Sequence, residues 1–339
     1  MPESSPPRAP QLVGIGNAIV DVIARTDDAF LKRHGLNKGA MTLIDADQAD
    51  RLYDTMGPAI EMSGGSAANT IAGFAALGGH GCYIGKVKTD QLGEVFTHDI
   101  RSLGVLFDTP KATDGPPTAR CLILVTPDAQ RTMNTYLGAC VELGPDDIDE
   151  ARIAAAQIVY MEGYLWDPPA AKDAFRKAMA IAGANGTRSA LTLSDGFCVD
   201  RYRDEFRALV DGPLDILFAN EDEIKSLYQV DEFDDALQAV RGRVDVAALT
   251  RSEKGSVIVA GDEIHIVDAE PVSDLQDTTG AGDLFAAGFL YGLTHGRSYH
   301  DCARLGGIAA AEVISQIGPR PQTDLKAAVA DRMGVPQEA

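Results

Sequence analysis

From about residue 147 onward, short apolar runs alternate with helical stretches, and this alternation constrains the fold most. Residues 158–161, 190–193, 216–219 and 246–250 read as strands; 168–183, 200–210 and 221–227 read as helices. Strand–helix alternation with apolar strands predicts a parallel sheet covered by helices. Residues 255–260 and 263–267 predict a hairpin around Gly261-Asp262, and further helices follow Gly282 and Ser298. The expected fold class is therefore α/β, with a mainly parallel central sheet flanked by helices.

The front half is less regular. Residues 12–16 predict a first strand ending in glycine, 66–77 a helix stopped by Gly78-Gly79, 81–87 a strand, and 90–103 a helix closed by Gly104. Residues 20–24, 40–44, 120–125 and 132–137 also read as strands, the last two as a hairpin across Pro127-Asp128-Ala129-Gln130. These four can form a small sheet outside the main one. A chain of 339 residues is long enough for one large domain with an appendage. The expected organisation is a disordered tail over 1–10, one domain over 11–330 with a small β-sheet lid from about 18–45 and 118–138, and a tail over 331–339.

The formal net charge of −20 argues against nucleic acid and anionic membranes as partners. Five widely spaced cysteines without a CxxC pair fit a reducing cytoplasm better than a disulfide framework or zinc site. The start of the chain reads as neither signal peptide nor membrane helix.

Chemistry concentrates at Asp277-Thr278-Thr279-Gly280-Ala281-Gly282-Asp283, which runs into the apolar helix-like Leu284-Phe285-Ala286-Ala287. The first N–H groups of a helix lack intrahelical partners and carry partial positive charge, so such a turn binds anions. Asp283 sits among those donors, where a carboxylate can take a proton from a hydroxyl attacking a phosphate. A plain glycine turn with Asp283 as a helix-end carboxylate is the bland alternative. Gly64-Gly65-Ser66-Ala67-Ala68-Asn69 is a second glycine pair opening a helix, and Asn69 offers both donor and acceptor. Asn17 and Asp21 flank the end of the first strand, and a carboxylate there can accept two sugar hydroxyls, although a surface Asp near a turn is the bland alternative. Asn220-Glu221-Asp222-Glu223 follows an apolar strand; Asn220 and Glu223 can organise magnesium through its waters, although acidic residues at a helix start also have a dipole explanation. A dinucleotide fingerprint fails at Ile19, and a Walker A loop fails at His80 and Val87. Polar groups at Asn17, Asn220, Thr250 and Gly280 all fall at predicted carboxyl ends of strands, where open α/β sheets bind ligands.

GGSAAN, NEDE and DTTGAGD, in this order, resemble the PfkB (ribokinase-like) family of carbohydrate and nucleoside kinases over roughly 11–318, and the front motif Gly16-Asn17-Ala18-Ile19-Val20-Asp21 is most similar to the adenosine kinase branch. The long interval from Asp21 to Gly64 is similar to that branch too. The resemblance implies a ribokinase-like fold with a β lid, Asp283 as base, and Gly280, Ala281 and Gly282 as anion hole. It implies that Asp21, Gly64, Gly65, Ser66 and Asn69 hold a ribose beside Asn17, with Arg131 on the substrate side. It implies a purine pocket from Ile19, Met133, Leu137, Tyr164, Leu165 and Trp166. Asn220, Glu223, Thr250, Gly255 and Thr279 would serve ATP, with Mg²⁺ reached through water at Asn220 and Glu223, and a monovalent cation near Asp277 remains open. Ser252 departs from the glycine many members carry, and Leu165 stands at the expected purine-stacking position. The implied activity is ATP-dependent phosphorylation of the 5′-hydroxyl of a ribonucleoside, adenosine first. A sugar kinase of the same family, or a non-catalytic nucleotide-binding regulator, are the alternatives. The implied partner is a small nucleoside or sugar, for a cytoplasmic monomer or homodimer.

Overall fold

A computed structural model describes residues 9–128, 130–272 and 274–334. Most of the expected N-terminal tail, Ala129 of the predicted turn and the end of the C-terminal tail lie outside the described residues. The helix Leu325–Met333 carries ordered structure past the expected boundary at 330.

In chain order the strands are β1 (Leu12–Ile15), β2 (Ile19–Arg25), β3 (Met41–Leu43), β4 (Ala59–Gly64), β5 (Gly81–Ile84), β6 (Ala119–Val125) and β7 (Arg131–Tyr136). They continue as β8 (Ile158–Glu162), β9 (Arg188–Thr192), β10 (Ile216–Asn220), β11 (Val246–Thr250), β12 (Ser256–Ala260) and β13 (Glu263–Val267). The large sheet has the order β13-β12-β11-β10-β9-β8-β1-β5. From β5 to β11 all pairings are parallel, and β12 and β13 close that edge antiparallel. Two apolar layers cover it. Phe74, Phe289 and Leu284 lie in the cluster on one face, and Phe175, Phe206 and Trp166 in the cluster on the other. This is the parallel, helix-covered sheet that the apolar strands require.

The small sheet has the order β3-β7-β6-β2-β4. The hairpin of β6 and β7 is present, in the register Arg120↔Tyr136 to Val125↔Arg131. Strand β4 was not anticipated. Its first residues are exposed, so Ala59-Ile60-Glu61 lacks the apolar signature of a buried strand. Residues Val20, Val22 and Ala24 of β2 join the main core, while Ile19 and Ile23 join a smaller cluster with Cys121 and Ile123. The lid is thus fixed on one face and turns the other toward the carboxyl ends of the large sheet.

Candidate active site

A cavity of about 450 Å³ lies between the small sheet and the carboxyl ends of β1, β8, β9, β10 and β11. The helix Ala281–Thr294 points its N-terminus into it, capped by Gly280 in the left-handed conformation at φ 77. A Cβ there would press on Pro319 at 2.9 Å, so the turn requires glycine. Gly280, Ala281, Gly282 and Asp283 all line the cavity. Being in the first turn, the N–H groups of Gly282 and Asp283 have no intrahelical acceptor.

Asp283 is gripped from the second glycine motif. Ser66 Oγ donates to its Oδ1 at 2.6 Å, and Asn69 Nδ2 donates to its Oδ2 at 2.8 Å. Burial raises the Asp283 pKa above the ordinary aspartate value, and the Ser66 and Asn69 hydrogen bonds oppose that rise. The helix Ser66–Ala76 begins after Gly65 at φ 90, where a side chain would collide with the Asn17 carbonyl.

Asp21 is buried against the cavity and receives no hydrogen bond among the described residues. Desolvation pushes its pKa up to about 7, with Arg131 and Arg320 pulling the other way. Gly64 does not line the cavity; its missing side chain makes room for the Asp21 carboxylate. Asn69 Oδ1 is likewise buried without a partner among the described residues. Ile19, Met133, Leu137 and Tyr164 line the same space, joined by Met41, Leu43, Cys121 and Ile123, which sequence reasoning did not single out.

The expected base-side wall is corrected at two residues. Leu165 and Trp166 do not face the cavity. Both are buried in the core behind it, where Trp166 packs on Phe175 and Phe206 and donates Nε1 to Glu205. The short 3₁₀ turn Gly163–Trp166 swings Tyr164 alone toward the cavity, so the aromatic wall residue precedes Leu165 by one. Ser194, a non-glycine residue at φ 75, anchors this turn by accepting from the Tyr164 N–H at 3.2 Å.

Arg131 lies on the inward face of β7, outside the cavity wall, with Nη1 3.0 Å from Asp277 Oδ1. None of its guanidinium nitrogens meets an acceptor in hydrogen-bond geometry among the described residues. Asp277 also accepts from the N–H groups of Thr279 and Gly318. The Asp277 carboxylate, the expected neighbourhood of a monovalent cation, thus lies against Arg131.

Asn220, Glu223, Thr250 and Thr279 also line the cavity, at the ends of β10 and β11 and at the glycine turn. Asn220 and Glu223 form a reciprocal cap on the helix Glu221–Tyr228. Burial raises Glu223 to about 7, against the hydrogen bond from the Asn220 backbone. Gly255, at φ 80, does not line the cavity; a side chain there would strike the Val267 carbonyl. Ser252 adopts φ 51, the left-handed geometry that a glycine would accept without strain.

Glu162 is the largest omission of the sequence reading. It ends β8, and its carboxylate accepts from the N–H groups of Asn17 at 2.8 Å and Ala67 at 2.7 Å. Within the buried run at 158–162 it reads as one more strand residue. Only the missing side chain of Gly16, whose place its carboxylate fills, hints at it. Arg320 was missed too; buried, it donates to the carbonyls of Ser63 at 3.1 Å and Ala68 at 3.0 Å.

A carboxylate at an anion-binding turn, facing a cavity at the sheet's carboxyl edge, defines the class: a phosphotransferase that acts on a hydroxyl group. The chain belongs to the pfkB family of carbohydrate kinases, whose pattern matches residues 56–325. It is similar to the crystal structure of adenosine kinase from Sinorhizobium meliloti, at 55% identity over 97% of this chain and 100% of that one, with a TM-score of 0.91. A probable sugar kinase protein from Rhizobium etli matches at 54% identity over 96% of this chain and 98% of that one, also with a TM-score of 0.91. Adenosine kinase of Saccharomyces cerevisiae is 27% identical over 91% of this chain and 96% of its own length.

Proposed function

We propose that this chain transfers the γ-phosphate of ATP to the 5′-hydroxyl of adenosine. One observation carries the reading: the Asp21 carboxylate and Asn69 Oδ1, two acceptors without a hydrogen-bond donor among the described residues, belong to residues that line the same cavity as Asp283. A ribose presents two adjacent hydroxyl donors that would satisfy both. The apolar wall of Ile19, Met133, Leu137 and Tyr164 suits a nucleobase beside that ribose. The likeness to the Sinorhizobium meliloti adenosine kinase supports the choice. The Rhizobium etli likeness keeps a sugar acceptor as the second reading, but a bare sugar leaves the apolar wall uncovered.

Ser66 and Asn69 aim the Asp283 carboxylate at the acceptor hydroxyl. As that oxygen forms its bond to the γ-phosphorus, Asp283 takes the proton and the bond to the ADP leaving group breaks. The Gly282 and Asp283 amides stand where charge develops on the transferring group. Glu162 holds the Asn17 and Ala67 backbones, and so the ribose and base-orienting segments, in register. Arg131, behind the cavity wall, lies against Asp277 and so supports the turn that leads into Gly280. Asn220 and Glu223 supply oxygen donors suited to Mg²⁺ and its waters, and a buried carboxylate without a cationic partner among the described residues fits that role. When bound, Mg²⁺ would neutralise charge on the triphosphate. The reaction fits the cytoplasm, where the five buried free thiols would stay reduced.

The test is a panel of nucleosides and sugars incubated with ATP and MgCl₂, read by product mass. AMP from adenosine is the expected product. A phosphorylated sugar with no nucleoside product would move the assignment to the sugar reading.

A further inference from the structure

Beyond the ribose and phosphate groups, the cavity wall carries one ion pair that the mechanism does not use. Asp167 follows the turn Gly163–Trp166, and Arg201 comes from the helix Gly196–Val210; both line the cavity. Arg201 Nη2 donates to Asp167 Oδ2 at 3.0 Å. Tyr202 donates its hydroxyl to the other carboxylate oxygen. The helix leaves helical geometry at Tyr202, with φ −122 and ψ 23, and the hydroxyl reaches Asp167 from there. The guanidinium also lies 4.5 Å over the Phe197 ring and 5.4 Å from the Tyr202 ring centre. Asp167 is therefore held in a fixed direction by two donors, with lone pairs to spare.

Its position separates it from the phosphates. The nucleotide-side groups Asn220 and Thr250 end β10 and β11, whereas Asp167 stands three residues beyond Tyr164, after β8. A base stacked along the Tyr164 wall would turn its outer edge toward this pair.

We propose that Asp167, oriented by Arg201 and Tyr202, accepts a hydrogen bond from the exocyclic amino group of the base and so selects an amino-purine. This rests on the nucleoside reading above. A keto group at the same ring position would bring an oxygen lone pair against the carboxylate and be rejected.

The experiment compares kcat/KM for adenosine, purine riboside without the amino group, and inosine, in the wild type, Asp167→Leu and Arg201→Met. The wild type should favour adenosine over purine riboside by roughly tenfold, as expected for one hydrogen bond to a charged group in a partly exposed site. It should disfavour inosine more strongly. Both ratios should collapse toward one in Asp167→Leu and shrink in Arg201→Met. Protection from thermal unfolding by ATP reports whether each variant is folded. A wild type that treats adenosine and purine riboside alike overturns the proposal whatever the variants do. So does an unchanged ratio with a raised KM for ATP, which would assign the pair to the triphosphate. Phosphorylation of sugars alone would instead remove the nucleoside reading itself.

Discussion

Ser66 and Asp283 stand 217 residues apart in the chain and share a hydrogen bond of 2.6 Å. The front glycine motif thereby sets the direction and basicity of the carboxylate at the far anion turn. Ser66→Ala removes a donor that favours the ionised form, leaving burial less opposed. The Asp283 pKa should then rise further. The acid limb of the kcat/KM profile should move to higher pH, and the rate near neutrality should fall. An acid limb that stays in place would show that Ser66 does not tune Asp283.

Asp283→Asn tests the base itself. A positioned general base contributes roughly 10²- to 10⁴-fold, so kcat should fall by about that factor. Asparagine keeps the size, and the affinity for adenosine should be largely retained. Turnover within a few fold of the wild type would remove the assignment.

Gly64 and Asp21 make a second pair that a kinetic measurement can read. Any Cβ at Gly64 enters the volume of the Asp21 carboxylate. Gly64→Ala should therefore raise KM for the nucleoside tenfold or more, as loss of a charged hydrogen-bond partner would. Asp21→Ala should do the same, and the double variant should be little worse than either single one. Additive losses would mean that Gly64 acts elsewhere.

Ser252 holds a left-handed backbone that costs a non-glycine residue about 1–2 kcal/mol. Ser252→Gly relieves this but loosens the unfolded chain by about 0.4–1 kcal/mol. The net expectation is a stabilisation of a few tenths to about 1 kcal/mol, whereas Ser252→Val should destabilise the fold. Urea unfolding that leaves the valine variant level with the wild type would contradict the strain.

What the sequence made legible follows from what each signal measures. The parallel sheet was readable because β8 to β11 each carry a buried apolar run, such as 159–161 and 216–219, and DTTGAGD because a glycine turn before an apolar helix has few other uses. Strand β4 was not, since its outer half is solvated. The inward turn of Tyr164 rather than Leu165 was invisible too, because a 3₁₀ turn obeys neither strand nor helix period. Glu162 and Arg320 act through backbone N–H and carbonyl groups, and their partners have no residue type to recognise.

Glu162 also makes stability depend on pH. Burial lifts its pKa from 4.5 in the unfolded chain to about 7, and the Asn17 and Ala67 amides only partly offset this. Between those values the folded chain keeps a proton that the unfolded chain has released. Stability from this group is thus full below the unfolded pKa and lost as pH rises through the folded one. Glu162→Gln cannot ionise, so its unfolding free energy should fall less from pH 5 to pH 7.5 than that of the wild type, by on the order of a few kcal/mol. Asp21 and Glu223, raised to about 7 as well, remain in both proteins, so the difference isolates Glu162. The variant should also lose activity, because glutamine offers one acceptor oxygen to two amides that now have two. Urea titrations at the two pH values decide it: parallel losses in both proteins would mean that Glu162 does not carry the raised pKa.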